Sequence, residues 1–416
     1  MSQMKTSNDG SINKKKVAIF FGGRSPEHDV SVISGLQALQ AIDGALYDAF
    51  PVYISPNGAW YIGDILRQRA NFLLSEDNLK EVTEVTLDVQ GVRGGVLLPK
   101  KTPFFGAAKP VNFDIALPVF HGLYGEDGNI QGLFELANIP YVGMRTKASA
   151  ILMDKITTKY FLKALDIPTL DFAVLRRPKQ GYLIPEEQLS ALLAPVGFPC
   201  ILKPAHLGSS IGVAKADNVD EAKALLPAIF EFDDIAIAEP FVQNLVEYNV
   251  SVSKVSGRVL TSAVERPKNS DELLDFKQKY MSGGDDKGGN KVSGNKTFSP
   301  ASEGMLSLTR EINPDMPAGM EDKIRDWTQR LFEAIDGTGA PRIDFIGNSE
   351  TNEIWMNEVN PCPGSFGYFL WEASKGAPVF FTDLLTSLIA EAISENTAHA
   401  LPYDPVPADA RLLKRG

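Results

Sequence analysis

The first apolar segment of the chain is a short run that ends in two glycines, "KKKVAIFFGG" at residues 14–23. A continuous apolar run of this length is typical of a strand buried on both faces, and the glycines indicate a tight loop after it. Residues 31–42 follow with the apolar spacing of a helix. A strand, a glycine loop and a helix in this order predict an N-terminal doubly wound, Rossmann-like α/β domain.

The same pattern recurs further along. Residues 113–122, "FDIALPVFHG", predict a second buried strand that ends at a polar loop, and residues 130–143 predict a helix followed by a short strand. A second α/β region begins near residue 147. Its predicted elements are a helix at 147–165, a strand, Gly/Ser loop and strand at 200–213, a helix at 217–230, and strands at 235–242 and 247–255.

A third region runs from about residue 250 to the C-terminus. It contains a predicted helix at 321–335 and predicted strands at 340–347 and 353–360. Residues 281–302 are rich in Gly, Ser, Asn and Lys, which predicts a flexible loop. Because a long loop inside a compact domain is often functional, we expect this one to have a functional role.

Composition narrows the class of protein. A chain of 416 residues, 44% hydrophobic and 22% charged, predicts two or three globular domains. Its net charge of -11 argues against general binding to nucleic acids or anionic membranes, because no excess of basic residues is available for phosphates. Two cysteines, no long apolar run and a polar start at residues 1–16 without a signal-peptide core predict a cytoplasmic protein.

Two stretches are candidates for binding phosphate and a metal ion. In "KPAHLGSSIGV", residues 203–213, backbone N–H groups and hydroxyls can surround phosphate oxygens while Lys203 supplies charge. A hairpin with an ordinary surface lysine is the alternative. On the two last predicted strands, Asp344, Glu358 and Asn360 offer oxygen ligands suited to Mg²⁺, and Arg342 shares the face of Asp344. Acidic residues at solvated strand ends are the alternative there.

Two polar loops follow predicted strands of the first domain, where α/β sheets bind ligands. In the first, Glu27 is a candidate for binding an ammonium group and His28 for a phosphate contact or proton transfer, while Asp29 and Ser31 are expected to cap the following helix. The second, "HGLYGEDGN", places His121 and Glu126 toward the same crevice, although turn chemistry explains its glycines equally well.

Seven blocks in order resemble the D-alanine–D-alanine ligase family of the ATP-grasp superfamily: "FGGRSPEHDVS", "HGLYGEDGNIQGLFELANIPYVG", "ASAILMDK", "LKPAHLGSSIGV", "FKQKYMS", "PRIDF" and "NEVNPCPG". The resemblance covers residues 15 to about 390. It implies an N-terminal α/β domain followed by a two-lobed ATP-grasp fold. The implied division is a leader at 1–14, a substrate domain at 15–146, a central lobe at 147–248, a C-terminal lobe at 249–400 with an active-site loop at about 277–312, and a tail at 401–416.

The reaction implied by the resemblance has two steps. ATP phosphorylates the carboxylate of one D-alanine, and the amine of a second attacks the acyl phosphate to give D-alanyl-D-alanine for peptidoglycan precursor synthesis. The implied cofactors are ATP and two Mg²⁺ ions, with Mn²⁺ as a substitute. Amino acids and ATP are the implied small-molecule partners, and a homodimer is the expected assembly.

The resemblance also assigns residues by their place in each motif. It implies catalytic roles for Glu27, Ser209, Tyr280, Lys279, Arg342 and the backbone of Gly364. It implies ATP binding by Lys155, Lys203, Glu239, Phe241, Val242, Glu247, Lys279 and Asn357, with the segment before Glu247 one residue longer than usual. It implies metal binding by Asp344, Glu358 and Asn360.

The acceptor side departs from the family. Phe369 stands where a serine that anchors the second D-alanine's carboxylate is expected, and a phenyl ring cannot donate a hydrogen bond. Ser365, Tyr368 or a backbone N–H are the candidate substitutes, beside His28, His121 and Glu126 as further substrate-binding residues. A ligase making another peptide-like product and a non-catalytic nucleotide-binding protein are the alternatives. A dehydrogenase is disfavoured, since no G-x-G-x-x-G follows the first strand.

Overall fold

The computed structural model describes residues 14–72, 78–90, 94–100, 109–208, 210–255, 257–268, 310–399, 406–407 and 410–411. Within these residues the named strands form sheets of seven, four and five strands, one after another along the chain. Three sites predicted from motifs, Ser209, Lys279 and Tyr280, lie outside the described residues, as does the predicted flexible loop at 281–302.

The N-terminal sheet is mixed. Its strands, in chain order, are β1 Lys15–Gly22, β2 Tyr47–Ile54, β3 Trp60–Ile62, β4 Thr83–Asp88, β5 Gly95–Pro99, β6 Val111–Phe113 and β7 Ile115–Pro118. They lie in the order β6-β5-β4-β3-β2-β1-β7. Strand β1 is parallel to β2 and β7, and β3 to β6 extend the sheet as an antiparallel meander.

Helices α1 His28–Ala41 and α2 Asn129–Leu136 cover opposite faces of this sheet. Val17, Ile19 and Phe21 of β1 belong to one apolar cluster with residues of α1, whereas Ala18 and Phe20 belong to another with residues of α2. Because both faces of β1 are buried, its sequence is continuously apolar instead of alternating. The predicted strand, glycine loop and helix are all present.

The second sheet is antiparallel and forms the central lobe. Its strands are β8 Ala173–Arg176, β9 Cys200–Pro204, β10 Ala214–Ala216 and β11 Ile235–Pro240, in the order β10-β9-β11-β8. Helices α5 Glu186–Leu193 and α6 Val219–Phe230 share an apolar cluster with these strands. Of the strand, Gly/Ser loop and strand predicted at 200–213, the first strand is β9, whereas the second, β10, begins only at Ala214, after the predicted range.

Between the first two sheets, the helix predicted at 147–165 is in fact two helices, α3 Thr146–Met153 and α4 Lys155–Ala164. Asp154 breaks the run, because its backbone is extended and its side chain accepts hydrogen bonds from the N–H groups of Ile156 and Thr157. This is N-cap chemistry, which ends one helix and begins the next. Consequently Lys155 is the first residue of α4.

The third sheet is antiparallel as well. Its strands are β12 Leu245–Val255, β13 Arg258–Pro267, β14 Arg310–Ile312, β15 Arg342–Asn348 and β16 Ile354–Asn360, in the order β14-β13-β12-β15-β16. The remaining helices are α7 Met320–Ala334, α8 Tyr368–Glu372 and α9 Phe381–Ala398. The strand that the sequence pattern grouped with the second region, at 247–255, pairs in this third sheet as β12.

Strand β12 shows how this sheet separates its two faces. Tyr248, Val250 and Val252 belong to an apolar cluster with residues of α3, α4 and α7, whereas Glu247 and Asn249 point to the opposite face. That polar face positions the candidate site described below. In the described part of the chain, no helix is long and apolar enough to cross a membrane.

Candidate active site

A cluster of carboxylates and an amide lies where β15 and β16 pair. Asp344 pairs with Glu358 and Arg342 with Asn360, so their side chains share one face of the sheet. The guanidinium of Arg342 donates to both oxygens of Asp344, from Nε to Oδ1 and from Nη2 to Oδ2, each at 2.7 Å. Asn360 Nδ2 donates to Asp344 Oδ2 at 2.9 Å. The structure therefore brings together the four residues that the strand pattern grouped.

The carboxylate of Asp344 lies in an unfavourable environment for negative charge. Burial raises the pKa of Asp344 in spite of Arg342, and the neighbouring charges of Glu358 and Glu265 raise it further. The described residues contain no cluster of three or more His, Cys, Asp and Glu side chains that could hold a metal ion. The oxygen donors available here are instead two carboxylates and one amide, a set that suits Mg²⁺ or Mn²⁺ with ligand phosphates completing the shell.

Two lysines link the central lobe to this cluster. Lys155 Nζ lies 3.2 Å from Glu358 Oε2 and donates to the carbonyl oxygen of Leu207, in the Gly/Ser loop, at 2.5 Å. Lys203 Nζ, on β9, donates to Asn357 Oδ1 on β16 at 3.2 Å. These contacts place both lysines between the Gly/Ser loop and the carboxylates.

Glu239 forms a buried triad with two lysines. Its Oε2 lies 2.7 Å from Lys203 Nζ, and its Oε1 lies 2.7 Å from the Nζ of Lys159, a residue that sequence reasoning missed. Burial alone would raise the pKa of Glu239, but Lys203 and Lys159 outweigh it and lower the pKa. Burial likewise opposes the charge of Lys203, but Glu239, Glu358 and Glu247 raise its pKa. Both groups therefore stay charged inside the protein.

Lys159 has no solvent exposure, and it also donates to Thr169 Oγ1 at 2.8 Å. A signal for it was present in the sequence, because Lys155 and Lys159 are spaced i, i+4 and so share one face of a helix. That pattern is equally typical of a solvated helix face. Its role depends on Glu239, which is distant in sequence.

The segment predicted to bind adenine and ribose connects β11 to β12. Phe241 is partly exposed, its N–H donates to the carbonyl oxygen of Pro199 at 3.0 Å, and Lys215 Nζ lies 4.9 Å from its ring centroid. Val242 follows, and Glu247 lies on the polar face of β12 close enough to raise the pKa of Lys203. The segment thus runs beside the buried triad, along the border between the two lobes.

Glu27, immediately before α1, is buried against two glycine loops. A Cβ placed on Gly122, whose φ is 74°, would lie 2.4 Å from Glu27 Oε2, and one on Gly208 would lie 3.5 Å from Oε1. Glycine is therefore required at 122 by both backbone conformation and space. The carboxylate of Glu27 faces the loop that leads to position 209.

The expected capping of α1 by Asp29 and Ser31 is wrong, because both residues lie inside the helix. The N-cap residue is Glu27, and its side chain makes no capping hydrogen bond within the described part of the chain. Ser31 Oγ instead accepts a hydrogen bond from the N–H of Gly22 and donates to the carbonyl oxygen of Val119, so it joins the ends of β1 and β7. His28 also turns inward, with Nδ1 donating to the Gly23 carbonyl at 2.7 Å and Nε2 accepting from the Tyr53 hydroxyl at 3.1 Å.

Glu126 and His121 bind the backbone that follows β16. Glu126 Oε2 accepts from the N–H of Gly122 and its Oε1 from the N–H of Cys362, both at 2.7 Å. His121 Nδ1 donates to the carbonyl oxygen of Cys362 at 2.8 Å. Burial and the nearby Glu27 raise the pKa of Glu126 to about 8, and burial lowers the pKa of His121 to about 4. Both side chains therefore hold the strand end that leads to Gly364.

The turn Gly364–Gly367 is strained and tied to α1. Ser365 and Phe366 have φ angles of 47° and 57°, a left-handed backbone that non-glycine residues rarely adopt. The Ser365 N–H donates to Ser34 Oγ at 3.1 Å and its hydroxyl donates to Gln37 Oε1. Ser365 is thus directed into α1. A Cβ on Gly364 would meet nothing within 4 Å, so its backbone borders open space.

The aromatic residues after this turn pack on one another. Tyr368 stacks on Phe381 with ring centroids 4.8 Å apart, and Phe369 meets Tyr368 edge to face at 6.2 Å. The guanidinium carbon of Arg310 lies 4.5 Å from the centroid of Phe369. Arg310 follows the glycine-rich stretch and was not among the residues singled out from the sequence.

Comparisons with known proteins agree with this arrangement. The family model "D-ala D-ala ligase N-terminus" matches residues 16–144, and "D-ala D-ala ligase C-terminus" matches residues 161–297 and 303–390. A curated D-alanine–D-alanine ligase of Thermosipho africanus is 31% identical over 398 residues, which span 96% of this chain and 99% of the relative. One from Ruminiclostridium cellulolyticum is 32% identical over 397 residues, covering 91% and 95%.

Solved structures share the fold. A D-alanine–D-alanine ligase from Coxiella burnetii has a TM-score of 0.70 at 24% identity, covering 92% of this chain and 95% of its own. One from Helicobacter pylori has a TM-score of 0.64 at 27% identity, covering 93% and 100%. The likeness therefore extends over all three sheets.

Proposed function

The chain belongs to the D-alanine–D-alanine ligase family, and we propose that its site uses ATP to join two D-alanine molecules for peptidoglycan precursor synthesis. The main observation behind the proposal is that residues of the central lobe and of the N-terminal domain both contact β16 of the third sheet. Lys155 and Lys203 reach β16 from the central lobe, and Glu126 reaches the end of β16 from the N-terminal domain. A nucleotide, a metal and a bound amino acid would be neighbours there.

The metal would be held by Asp344, Glu358 and Asn360. When bound, Mg²⁺ or Mn²⁺ would neutralise phosphate charge and polarise the transferred phosphoryl group. Lys155 and Lys203 are placed to bind phosphates, and Lys159 keeps Glu239 ionised beside Lys203. Phe241, Val242 and Glu247 would line the base and ribose. These assignments are supported by the position of each residue around the two lobes.

In the first step, a carboxylate oxygen of the donor D-alanine attacks the γ-phosphorus of ATP and ADP leaves. Glu27 would bind the donor's ammonium group, since its buried carboxylate faces the loop before position 209. The resulting acyl phosphate keeps the carboxylate oxygen as its bridging atom. Positioning and electrostatic stabilisation supply most of the catalysis in such phosphoryl transfers.

In the second step, the neutral amine of the acceptor attacks the acyl carbon. The N–H of Gly364, beside open space, and the guanidinium of Arg342 would stabilise the negative oxygen of the tetrahedral intermediate. Collapse of this intermediate forms the amide, expels phosphate and releases the proton of the amine. Glu126 and His121 would act through the backbone of Cys362, by holding Gly364 in place.

The proposal is tested by measuring ADP release and product mass with a panel of D-alanine, D-serine, D-lactate and L-alanine. We expect D-alanine to stimulate ADP release and to give D-alanyl-D-alanine. No stimulation by D-alanine would overturn the proposal. Phe369 favours a second candidate function, a ligase that uses D-alanine as donor and another molecule as acceptor. Mixed products that contain D-alanine only as the donor would support this second function. A homodimer and a cytoplasmic location stay predictions.

A further inference from the structure

A row of polar side chains runs from the metal-ligand candidates toward the far edge of the third sheet. Glu358, Asp344, Asn249 and Glu265 occupy directly paired positions on β16, β15, β12 and β13. Their side chains therefore share the polar face. Asn249 Nδ2 donates to Glu265 Oε1 at 2.9 Å. With strands about 4.8 Å apart, Glu265 lies about 10 Å from Asp344.

Arg310 ends this row. It lies on β14, two residues before the partner of Glu265, and its Nη1 donates to Glu265 Oε2 at 3.0 Å. Its guanidinium also lies against the ring of Phe369. Its Nε is buried and has no hydrogen-bond partner among the residues that the structure describes. A buried guanidinium donor without an acceptor is uncommon, and it shows that Glu265 does not use the full hydrogen-bonding capacity of Arg310.

The position of Arg310 matters because two sides of the site are already occupied. The lysines of the central lobe approach β16 and define the nucleotide side. Glu27 and Glu126 come from the N-terminal domain and define the donor side. The third side is formed by β13, β14 and α8. An acceptor amine reaching the acyl carbon from that side would place its own carboxylate toward Arg310.

The charges on the third side fit an amino-acid acceptor. The side chains of Phe369 and Tyr368 offer no positive charge for a carboxylate, whereas a guanidinium can bind one through two parallel hydrogen bonds. Arg310 also acts on its surroundings, because its charge counteracts part of the pKa increase that burial and Glu372 cause at Tyr368. Its side chain is 28% exposed, so a ligand can reach it.

We propose that Arg310 binds the carboxylate of the acceptor amino acid and makes a free carboxylate a requirement for the acceptor. Phe369 supports the guanidinium plane, and Glu265 orients it. Arg310 takes the place of the serine expected at 369. The acceptor's carboxylate would thus be bound by a charged group on β14 instead of a hydroxyl group in the loop after β16. This inference rests on the proposed ligase function.

A purely structural ion pair with Glu265 is the competing explanation, and a competition between two acceptors separates the two. D-Alanine and D-alaninamide have the same amine, but the amide lacks the carboxylate. With D-alanine as donor, the ratio of the two products is measured by mass spectrometry for the wild type, Arg310→Met and Arg310→Lys. We expect Arg310→Met to lower the preference for D-alanine roughly ten- to hundredfold and Arg310→Lys to retain part of it.

The matched control is Arg266→Met. Arg266 lies next to Glu265 in β13 but on the opposite face, and its Nη2 lies 2.5 Å from Glu311 Oε2. This variant removes the same charge and a similar ion pair from the same strand pair, so its product ratio should equal that of the wild type. Melting curves for each variant separate loss of folding from loss of selectivity.

The outcomes are distinct. A higher KM for the acceptor in Arg310→Met, with the KM values for the donor and ATP unchanged, supports carboxylate binding. An unchanged product ratio in folded Arg310→Met, or a change equal to that of Arg266→Met, overturns the role of Arg310 while leaving the ligase function intact. If Arg310→Met does not fold, an Arg310→Lys variant with the same preference for D-alanine over D-alaninamide as the wild type also overturns the role of Arg310. A wild type that makes no dipeptide from D-alanine overturns both proposals.

Discussion

The nucleotide half and the acceptor half of the site are built from different contacts. In the nucleotide half, Lys159, Glu239 and Lys203 form a buried chain of ion pairs with oxygen–nitrogen distances of 2.7 Å. In the acceptor half, aromatic rings pack on one another and one guanidinium, that of Arg310, lies over Phe369. Charge is thus concentrated where ATP would bind and is sparse where the second amino acid would enter.

This difference has an energetic consequence. Removing one member of a buried charge pair leaves an uncompensated charge, which costs several kcal/mol, so the nucleotide half tolerates few substitutions. Aromatic packing and a partly exposed guanidinium are less demanding, because each contact contributes about 1 kcal/mol. We therefore expect the acceptor half to change specificity without disturbing the use of ATP.

The largest effect is expected from Glu358→Gln. The amide keeps the shape of the side chain but removes the charge that faces Lys155 and would bind the metal. We expect turnover to fall roughly a thousandfold. The melting temperature should change little, because the side chain of Glu358 is 27% exposed and a glutamine oxygen can still accept from Lys155. Glu353→Gln, an exposed neighbour just before β16, is the control and should keep full activity. Near wild-type turnover in Glu358→Gln would show that the carboxylate does not serve the reaction.

A smaller effect, on stability, is expected from Lys159→Met. This change leaves Glu239 with one lysine in a fully buried place, so we expect the free energy of unfolding to fall by about 3 kcal/mol. The double variant Lys159→Met/Glu239→Gln also removes the carboxylate that pairs with Lys203, so its loss of stability should be larger still. Urea unfolding of the two variants makes the comparison. If Lys159→Met is as stable as the wild type, the ion pair between Lys159 and Glu239 makes no net contribution to the free energy of unfolding.

The smallest effect is expected from Phe369→Leu, which keeps an apolar side chain but removes the ring. Losing the ring removes a cation–π contact with Arg310, so the KM for the acceptor should rise about two- to fivefold. The KM for ATP should not change, because the ring packs against Arg310 and Tyr368, which belong to the acceptor half. Steady-state kinetics with each substrate varied in turn checks this. An equal change in the KM for ATP would contradict the separation of the two halves.

The grouping of residues in the nucleotide half could be predicted in large part, because these residues obey local rules. Glu358 and Asn360 are two apart on a strand and share a face, and their pairing with Asp344 and Arg342 follows from two adjacent apolar strands. Lys203 precedes a Gly/Ser loop in a recognisable motif. Local spacing therefore carried most of the information for this part of the site.

The missed residues depend on contacts that are distant in sequence. Lys159 is distinguished from a surface lysine only by its burial against Glu239. Arg310 meets Glu265 and Phe369 through a strand that comes after the glycine-rich stretch, so no local pattern marks it. Ser365 looked available as a hydroxyl donor, but the left-handed turn directs it to Gln37. Asp154 ended a helix that periodicity alone would have continued.

The most direct test of the central claim, ligation through an acyl phosphate, follows one oxygen atom. D-Alanine labelled with ¹⁸O in both carboxylate oxygens is incubated with the protein, ATP and magnesium, and the released phosphate is analysed by mass spectrometry. We predict one ¹⁸O atom in each phosphate formed, because the donor carboxylate supplies the bridging oxygen. Dipeptide formation accompanied by unlabelled phosphate would contradict the account.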